Sequence, residues 1–309
     1  RDRLRSRGLG DVYKRQVKIY GFRKTTPRRG IDMTSTRHVL GLSGGRDSAA
    51  LAIFMRQRHP EIDVEYFFTD TGKELPEVYR YLTRLEGYLG KSILRLNPDR
   101  DFDYWLKSYK NYLPSPQSRW CTRQLKLRPF ERWVRQFIDA GENVISYVAI
   151  RSDEEYREGY QSNKEKLLVR LPFKDSGIDK TSVIDILEGS GLGLPDYYEW
   201  RTRSGCTFCF FQQKIEWVRL RERHPEAFEE AKQYEKNAIE HGSPFTWSQG
   251  ESLGELERPE RQEQIREEHR RRLERARSRL QTNPLRPEIS IDLDDIYGGA
   301  AKACLTCHK

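Results

Sequence analysis

Short hydrophobic runs alternate with longer segments of helical periodicity from about residue 36 onward. Runs rich in β-branched and aromatic residues predict strands at 37–42, 64–69, 92–96 and 144–150. Helical periodicity predicts helices at 47–59, 76–89, 126–140, 181–188, 212–224, 226–241 and 255–280. Because this alternation is typical of a parallel sheet covered on both faces, we predict an α/β fold with a doubly wound, mostly parallel sheet and a helical C-terminal extension. Ligands of such sheets bind at the carboxyl ends of the strands.

Composition narrows the class of protein. The 309 residues are 36% hydrophobic and 33% charged, with enough aromatic side chains for a core. No run approaches about 18 consecutive apolar residues, so we expect no membrane partner. Five cysteines are too few for a disulfide scaffold, which favours a reducing, cytoplasmic location. The net charge of +9 suits a phosphate-bearing ligand but does not by itself indicate nucleic acid.

The chain divides into segments of different composition. Residues 1–16 are rich in arginine, lack the apolar stretch of a secretory signal and resemble a translated sequencing adapter, so we expect them to be non-native. Without them the formal charge falls to about +5. A lead-in follows at 17–35, then a domain at 36–225. Residues 226–281 are a charged helical extension, whose mixed signs favour a solvent-exposed helix held by ion pairs over a nucleic-acid-binding helix. A cysteine-bearing tail occupies 282–309.

A glycine-rich loop between the first strand and the first helix carries the clearest chemistry. Its sequence is SGGRDS at 43–48, and the pair Gly44 and Gly45 lets the backbone turn tightly and approach an anion. The following helix adds unpaired N–H groups and the positive end of its dipole. Ser43 and Ser48 add hydroxyl donors, while Asp47 orients a metal ion or caps the helix. The strand before and the helix after favour phosphate binding over an ordinary glycine turn.

This loop resembles the PP-loop of the ATP-pyrophosphatase superfamily, and residues 36–225 resemble the phosphoadenosine phosphosulfate (PAPS) reductase family. Further segments support the resemblance by their order along the chain: DTGKELPE at 70–77, WCTRQLK at 120–126, IRSDE at 150–154, LPF at 171–173 and SGCTFC at 204–209. The resemblance implies a Rossmann-like, adenine nucleotide alpha hydrolase-like fold. It also implies that Asp70, Thr71, Gly72 and Arg151 lie beside the nucleotide.

The loop differs from that of PAPS-binding reductases, which usually replace its Gly-Gly-x-Asp part, whereas this chain keeps the complete SGG-x-DS form. The resemblance therefore implies ATP as the ligand, cleavage between its α- and β-phosphates, and adenylylation of an acceptor. We expect Mg²⁺, held mainly by phosphate oxygens with one carboxylate, Asp47 or Asp70. Arg123, Lys126 and Arg151 are candidates for neutralising the phosphates, with surface solubility as the alternative for each. The predicted catalytic residues are Asp47, Lys126 and Arg151.

Cys206 and Cys209 form a C-x-x-C motif flanked by phenylalanines, which would exclude water. Such a motif holds a metal ion, holds an iron–sulfur cluster or acts as a redox pair. The related adenosine phosphosulfate reductases hold a [4Fe-4S] cluster with a Cys-Cys pair plus C-x-x-C. Here Trp120 stands at the first position of that pair, so Cys121, Cys206 and Cys209 align, and one iron is open or needs a fourth ligand. We expect a cluster rather than zinc or free thiols.

The chain ends in CLTCH at 304–308. As a pattern, C-x-x-C-H is typical of c-type haem attachment, which the absence of an export signal disfavours. The ending also lacks the mobile Cys-Gly-His form of PAPS reductases, which disfavours a thioredoxin-coupled reductase. We therefore expect Cys304 or Cys307 to be a fourth cluster ligand or a mobile thiol that relays sulfur.

Three functions are compatible with these features. The first is an ATP-using, adenylylating enzyme that activates an acceptor for sulfur transfer, with a cysteine desulfurase or a thioredoxin-like protein as sulfur donor. The second is a thiol-dependent reductase that converts PAPS or adenosine phosphosulfate to sulfite. The third is a component of a nucleic-acid modification or defence complex, suggested by the basic balance and the charged helix. We favour the first function, and we expect a homo-oligomer.

Overall fold

The computed structural model describes residues 36–157, 159, 164–203, 205–243, 245–248 and 250–281. The segments 1–16, 17–35 and 282–309, with Cys304 and Cys307, lie outside the described residues. The strands are β1 (Thr36–Gly41), β2 (Val64–Phe68), β3 (Ile93–Arg95), β4 (Asn143–Tyr147) and β5 (Leu167–Arg170). The helices are α1 (Arg46–Arg58), α2 (Pro76–Leu89), α3 (Phe102–Ser108), α4 (Arg128–Asp139), α5 (Pro172–Asp175), α6 (Lys180–Gly189), α7 (Lys214–Arg223), α8 (Pro225–Glu240), α9 (Leu253–Leu256) and α10 (Pro259–Gln281). A π-helical segment (Thr122–Leu127) runs into α4, and a 3₁₀ turn covers Asp196–Glu199.

The five strands form one parallel sheet in the order β3-β2-β1-β4-β5. This arrangement confirms the predicted doubly wound α/β fold, and its described strands are all parallel. The chain proceeds from β1 to one edge of the sheet and then returns to place β4 on the other side of β1. The loops after β1 and β4 therefore separate at this reversal, which is where doubly wound sheets bind their ligands.

Helices cover both faces of the sheet. Successive side chains of a strand alternate between faces, so Val39 and Leu40 of β1 point in opposite directions. Val39 belongs to a small cluster that includes Phe130 and Val134 of α4. Leu40 belongs to the main core, together with side chains of α1, α2 and α6. Helix α1 is buried continuously over residues 46–53, so the loop in front of it is held by a rigid element.

Several short elements escape the sequence prediction. Strand β5 and helices α3, α5 and α9 have at most seven residues each, and so short a run carries little periodicity. Strand β5 forms because it pairs with β4, where Val169 lies opposite Ser146. The helix predicted at 126–140 begins earlier, because the π-helical segment precedes α4. Single π-helical turns are frequent at functional sites, and this one follows directly after Cys121.

Helices α7 to α10 pack beside the sheet. The Tyr234 ring of α8 lies 5.4 Å from the Phe102 ring and 5.3 Å from the Phe208 ring, measured between centroids. Helix α10 carries ion pairs such as Arg271 Nε with Glu267 Oε1 at 2.8 Å, as predicted for a solvent-exposed charged helix. Among the described residues, none of the helices combines the length and apolar composition needed to cross a bilayer.

Candidate functional site

The loop between β1 and α1 is closed by its own hydroxyl groups. The Ser43 N–H donates to Ser48 Oγ at 3.1 Å, and the two serine oxygens lie 3.2 Å apart. Ser48 Oγ in turn donates to the carbonyl of Gly45 at 3.1 Å. The two serines predicted as phosphate donors therefore also fix the shape of the loop.

Gly44 takes a backbone conformation that a side chain would disturb. Its φ is +70°, and a Cβ atom there would lie 2.6 Å from Cγ1 of Val78 in α2. The next residue, Gly45, is the N-cap of α1 and has an extended backbone. The loop therefore passes close to α2 and presents the first amides of α1 at the carboxyl ends of the strands.

Two of these amides donate to hydroxyl groups over long distances. The Gly45 N–H donates to Ser43 Oγ at 3.4 Å, and the Arg46 N–H donates to Tyr198 Oη at 3.3 Å. Both distances exceed the usual range for N–H···O hydrogen bonds. Because a charged phosphate oxygen is a stronger acceptor than a neutral hydroxyl, these amides can exchange their partners for a nucleotide phosphate.

Asp47 and Arg151 meet at the reversal in strand order. Arg151, from the loop after β4, places Nη1 3.0 Å from Asp47 Oδ1, and each side chain is 11% exposed. Its Nε and Nη2 also bind the carboxylate of Asp153, at 2.9 and 3.2 Å. Burial opposes the charge, but the carboxylates of Asp47, Asp153 and Glu154 together raise the pKa of Arg151 above its usual value. The structure thus joins two predicted catalytic residues that are 104 positions apart.

A buried cation supports this loop from beneath. Arg157 is 1% exposed, and its Nη1 donates to Glu154 Oε1 at 2.7 Å. Glu154 Oε2 accepts the N–H of Arg151 at 3.3 Å, which fixes the start of the loop. The sequence analysis missed Arg157, because nothing in its local sequence distinguishes a buried arginine from a surface one.

The DTG turn after β2 is organised by Asp70. Its Oδ1 accepts the Gly72 N–H at 2.9 Å and the Tyr79 hydroxyl at 2.8 Å, while Oδ2 lies 3.8 Å from Arg95 Nη1. Asp70 therefore shapes its own turn. Of the two carboxylates predicted to assist Mg²⁺, Asp47 is the better placed, because it lies in the first turn of α1 beside the phosphate loop.

Thr71 and Glu74 connect this turn to the C-x-x-C motif. Thr71 Oγ1 donates to Glu74 Oε1 at 3.0 Å and lies 3.4 Å from Cys206 Sγ. The backbones of Glu74 and Cys206 form an antiparallel bridge, and the Thr207 N–H donates to the Lys73 carbonyl at 2.7 Å. Glu74 Oε2 is buried without a hydrogen-bond partner. The DTG turn and the C-x-x-C motif are therefore in direct contact.

Of the three predicted cluster ligands, Cys209 lies within electrostatic range of both Cys121 and Cys206. Burial and the neighbouring Cys209 thiol raise the pKa of Cys121 to about 12. Burial and the Glu74 carboxylate raise the pKa of Cys206 well above that of an ordinary thiol, and the Cys209 thiol adds to this shift. The Lys126 ammonium lowers both pKa values, but less strongly. At neutral pH these two side chains are therefore thiols, and a bound metal would have to displace their protons.

The two other basic residues of the predicted site lie apart from the phosphate loop. Lys126 Nζ is 3.8 Å from Glu74 Oε1, which places it with the cysteines. Arg123 is exposed and lines a surface groove together with Arg119 and Arg128. Sequence spacing could not separate these positions, because the π-helical segment sets which side each residue faces.

Within the described residues, the thiols do not form a preassembled site for a single metal ion. Zinc requires three or four ligands that converge on one point. No three His, Cys, Asp or Glu side chains converge in this way within the part of the chain that the structure describes. A cluster distributes its cysteine ligands over several irons, and the fold brings Cys209 within electrostatic range of both Cys121 and Cys206.

A short stretch after the 3₁₀ turn contacts both halves of the site. The Tyr197 hydroxyl donates to the Gly44 carbonyl at 2.9 Å, and Arg201 Nη2 donates to the Cys206 carbonyl at 2.7 Å. Both side chains are fully buried. The sequence analysis assigned no role to these residues. The adjacent aromatic pair Tyr197 and Tyr198 was the available signal, because large rings in a glycine-rich connection indicate packing.

Comparison with known proteins places this site in context. The phosphoadenosine phosphosulfate reductase domain matches residues 37–164. An uncharacterised protein of Methanocaldococcus jannaschii is 29% identical over 150 residues, which cover 48% of this chain and 28% of that protein. The tRNA-specific 2-thiouridylase MnmA of Enterococcus faecalis is 23% identical over 212 residues, which cover 59% of this chain and 54% of that protein. The chain thus spans about half or less of the length of these curated relatives.

Among solved structures, the PAPS reductase from Candida auris in a phosphate complex is similar to this chain with a TM-score of 0.42 and 12% identity. The match covers 55% of this chain and 81% of that chain.

Proposed function

We propose, from the match of residues 37–164 to the phosphoadenosine phosphosulfate reductase domain, that the protein is a PP-loop ATP pyrophosphatase that activates an acceptor for sulfur transfer. In this proposal ATP binds with its phosphates at Ser43–Ser48 and is cleaved between the α- and β-phosphates. The activated acceptor then receives sulfur at the neighbouring cysteines. The relationship to an enzyme named a 2-thiouridylase supports sulfur transfer as the class of reaction.

The contact between the DTG turn and the C-x-x-C motif is the observation that carries the proposal. The Thr71 hydroxyl lies 3.4 Å from Cys206 Sγ, and the Glu74 and Cys206 backbones pair directly. A nucleotide beside the DTG turn would therefore lie next to the thiols. An enzyme that only hydrolysed ATP would have no need for cysteines at this position.

The first step of the proposed reaction is attack by an acceptor oxygen on the α-phosphorus of ATP. A new P–O bond forms, the bond to the β-bridging oxygen breaks, and pyrophosphate leaves with that electron pair. Arg151 and the amides of Gly45 and Arg46 neutralise charge on the phosphates. Mg²⁺, held by phosphate oxygens and by Asp47, would stabilise the departing pyrophosphate.

In the second step a sulfur nucleophile attacks the activated carbon of the acceptor. A C–S bond forms, the C–O bond breaks, and AMP leaves with the electron pair. The sulfur would come from a donor protein, such as a cysteine desulfurase or a thioredoxin-like protein. A [4Fe-4S] cluster held by Cys121, Cys206 and Cys209 would present an open iron for a sulfide ligand. Lys126 would offset the negative charge of the thiolates and of Glu74.

Nucleotide specificity tests the first half of the proposal. We expect calorimetry to show that ATP with Mg²⁺ binds more tightly than PAPS, and that γ-labelled ATP yields labelled pyrophosphate in the presence of an acceptor. Asp47→Asn should weaken ATP binding, whereas Asp185→Asn removes an exposed carboxylate on α6 and should leave binding unchanged. Release of orthophosphate alone, or tighter binding of PAPS, would contradict the proposal.

Cofactor content tests the second half. After anaerobic purification we expect iron and acid-labile sulfide in equal amounts, with broad visible absorption. Each of Cys121→Ser, Cys206→Ser and Cys209→Ser should remove most of the iron and most of the acid-labile sulfide. Zinc in place of iron would contradict the cluster and leave the ATP chemistry to be judged by the first experiment.

The family match also supports a second candidate, reduction of PAPS or adenosine phosphosulfate. Formation of sulfite with reduced thioredoxin would favour this reductase. The complete SGG-x-DS loop argues against it, because those substrates have no β- and γ-phosphates to bind.

A further inference from the structure

Two neighbouring surface grooves are lined by arginine. The first has a volume of about 350 Å³ and is lined by Arg119, Arg123 and Arg128. The second, of about 240 Å³, shares Arg128 and adds Arg100 and Arg132. We call these five side chains the arginine groove. The two cavities meet at Arg128 and lie along the π-helical segment and the start of α4.

The arginine groove carries an excess of positive charge. Glu131 and Asp99 are the carboxylates that line it, and Asp99 is paired with Arg132. Within the described ranges, Arg119, Arg123 and Arg128 form no ion pair with a carboxylate. Because neighbouring guanidinium groups repel one another, a track with this charge is best stabilised by a chain of negative groups.

Three arginines of the groove lie close to aromatic rings. The Arg128 guanidinium carbon lies 5.7 Å from the centre of the Trp105 ring, and that of Arg119 lies 5.2 Å from the centre of the Phe211 ring. The exposed ring of Tyr104 continues the series, next to Arg100. Cations that can bind phosphates beside flat rings and guanidinium planes are the features of surfaces that bind a single nucleic-acid strand, whose unpaired bases stack on them.

The arginine groove also borders the thiol site. Arg119 and Thr122 line it on either side of Trp120 and Cys121 in the sequence. Phe211, under the Arg119 guanidinium, is two residues beyond Cys209. We propose that the arginine groove binds a single-stranded segment of nucleic acid and brings one of its bases to the thiols. This inference rests on the proposed function, for which it names the acceptor class.

The proposal changes the role of Arg123, from a contact with the ATP phosphates to a contact with the acceptor strand. It also favours this surface over α10, the other arginine-rich region. Several α10 arginines pair with glutamates: Arg270 and Arg271 with Glu267 of the same helix, and Arg266 with Glu222 of α7.

Fluorescence anisotropy with short labelled oligouridylate and oligothymidylate, measured without ATP, tests the proposal. Each phosphate contact with a single strand contributes about 0.7 to the slope of log affinity against log salt, so Arg119→Ala/Arg128→Ala should lower the slope by about 1.4. Between about 50 and 200 mM salt, the wild type should then lose about sevenfold more affinity than this variant. The matched variant Arg270→Ala/Arg275→Ala should bind as the wild type does.

Three results would overturn the proposal. One is binding by Arg119→Ala/Arg128→Ala with an unchanged salt slope, and another is weaker binding by the α10 variant. The third is equal competition by polyglutamate, which would show a surface for any polyanion. Circular dichroism of both variants checks that they fold. Because Asp47→Asn should retain oligonucleotide binding, loss of ATP chemistry and loss of strand binding are separable outcomes.

Discussion

Replacing Gly44 with alanine tests the geometry of the phosphate loop. At φ +70° a non-glycine residue costs about 1–2 kcal/mol. The new Cβ would lie 2.6 Å from Cγ1 of Val78, which is fully buried, and overpacking of this kind costs about 1–3 kcal/mol more. We expect Gly44→Ala to lower the free energy of unfolding by about 2–5 kcal/mol, and to abolish ATP binding, because the loop must move away from α2.

Gly72 provides the matched control. Its φ is +71°, but a Cβ there meets no atom within 4 Å, so Gly72→Ala carries the backbone strain without the clash. Urea denaturation should therefore show a loss of only about 1–2 kcal/mol. The difference between the two variants isolates the contact with α2.

A double variant completes the test. Val78→Ala alone removes buried methyl groups and should cost about 1.5–3 kcal/mol. Combined with Gly44→Ala it removes the clash, so the double variant should be about 1–3 kcal/mol more stable than the sum of the single effects. Equal losses for Gly44→Ala and Gly72→Ala, or strictly additive effects, would refute the assigned geometry of the loop.

Three further changes probe other parts of the molecule. Burial, with the charges of Arg219 and Arg272, lowers the pKa of His269 to about 4, so the folded state keeps it neutral while the unfolded chain takes up a proton below 6.5. Stability should therefore fall as pH drops from about 6.5 towards 4, and His269→Gln should reduce this loss by about 1–2 kcal/mol at pH 5 in urea denaturation. Glu235→Gln should lower the free energy of unfolding by about 1–3 kcal/mol in thermal denaturation. Both carboxylate oxygens of Glu235 accept backbone N–H groups, at 3.0 and 2.6 Å, whereas the glutamine side chain has a single oxygen, so one N–H would lose its acceptor. Arg151→Met should weaken ATP binding about 10- to 100-fold in calorimetry, through loss of a charge-assisted contact.

One control variant and two contradicting results check these expectations. Glu229→Gln, at an exposed position on α8, should change stability by no more than about 0.5 kcal/mol. A pH profile of His269→Gln that coincides with that of the wild type would contradict the neutral, buried imidazole. Unchanged ATP affinity in Arg151→Met would remove this residue from the nucleotide site.

The sequence predicts the architecture well where one element carries its own signals. Helix α2 spans Pro76–Leu89 as predicted, because Pro76 fits the first helical turn and Gly90 ends the helix in the left-handed conformation. Strand β5 carries no comparable signal and exists only through its pairing with β4. The start of α4 could not be predicted either, since a π-helical turn depends on tertiary packing.

In the candidate site, too, features with a local sequence signal can be predicted, whereas features that depend on tertiary contacts cannot. The SGG-x-DS loop can be predicted from the sequence because its functional residues are adjacent in the chain. The pairing of Asp47 with Arg151 joins distant segments and becomes visible only through the strand order. Lys126 and Arg123, three positions apart, serve different surfaces. The burial of arginines such as Arg157 cannot be predicted from composition, because their partners are set by the fold.

Residues 197–201 connect the phosphate loop to the C-x-x-C motif. The Tyr197 hydroxyl donates to the carbonyl of Gly44, and the Arg201 guanidinium donates to that of Cys206. Both side chains are fully buried. A displacement of the Gly44 carbonyl would therefore be transmitted through this stretch to the Cys206 carbonyl. Under the proposed function, ATP binding at the loop would then shift the cysteine loop, so that the thiols are aligned when the nucleotide is bound.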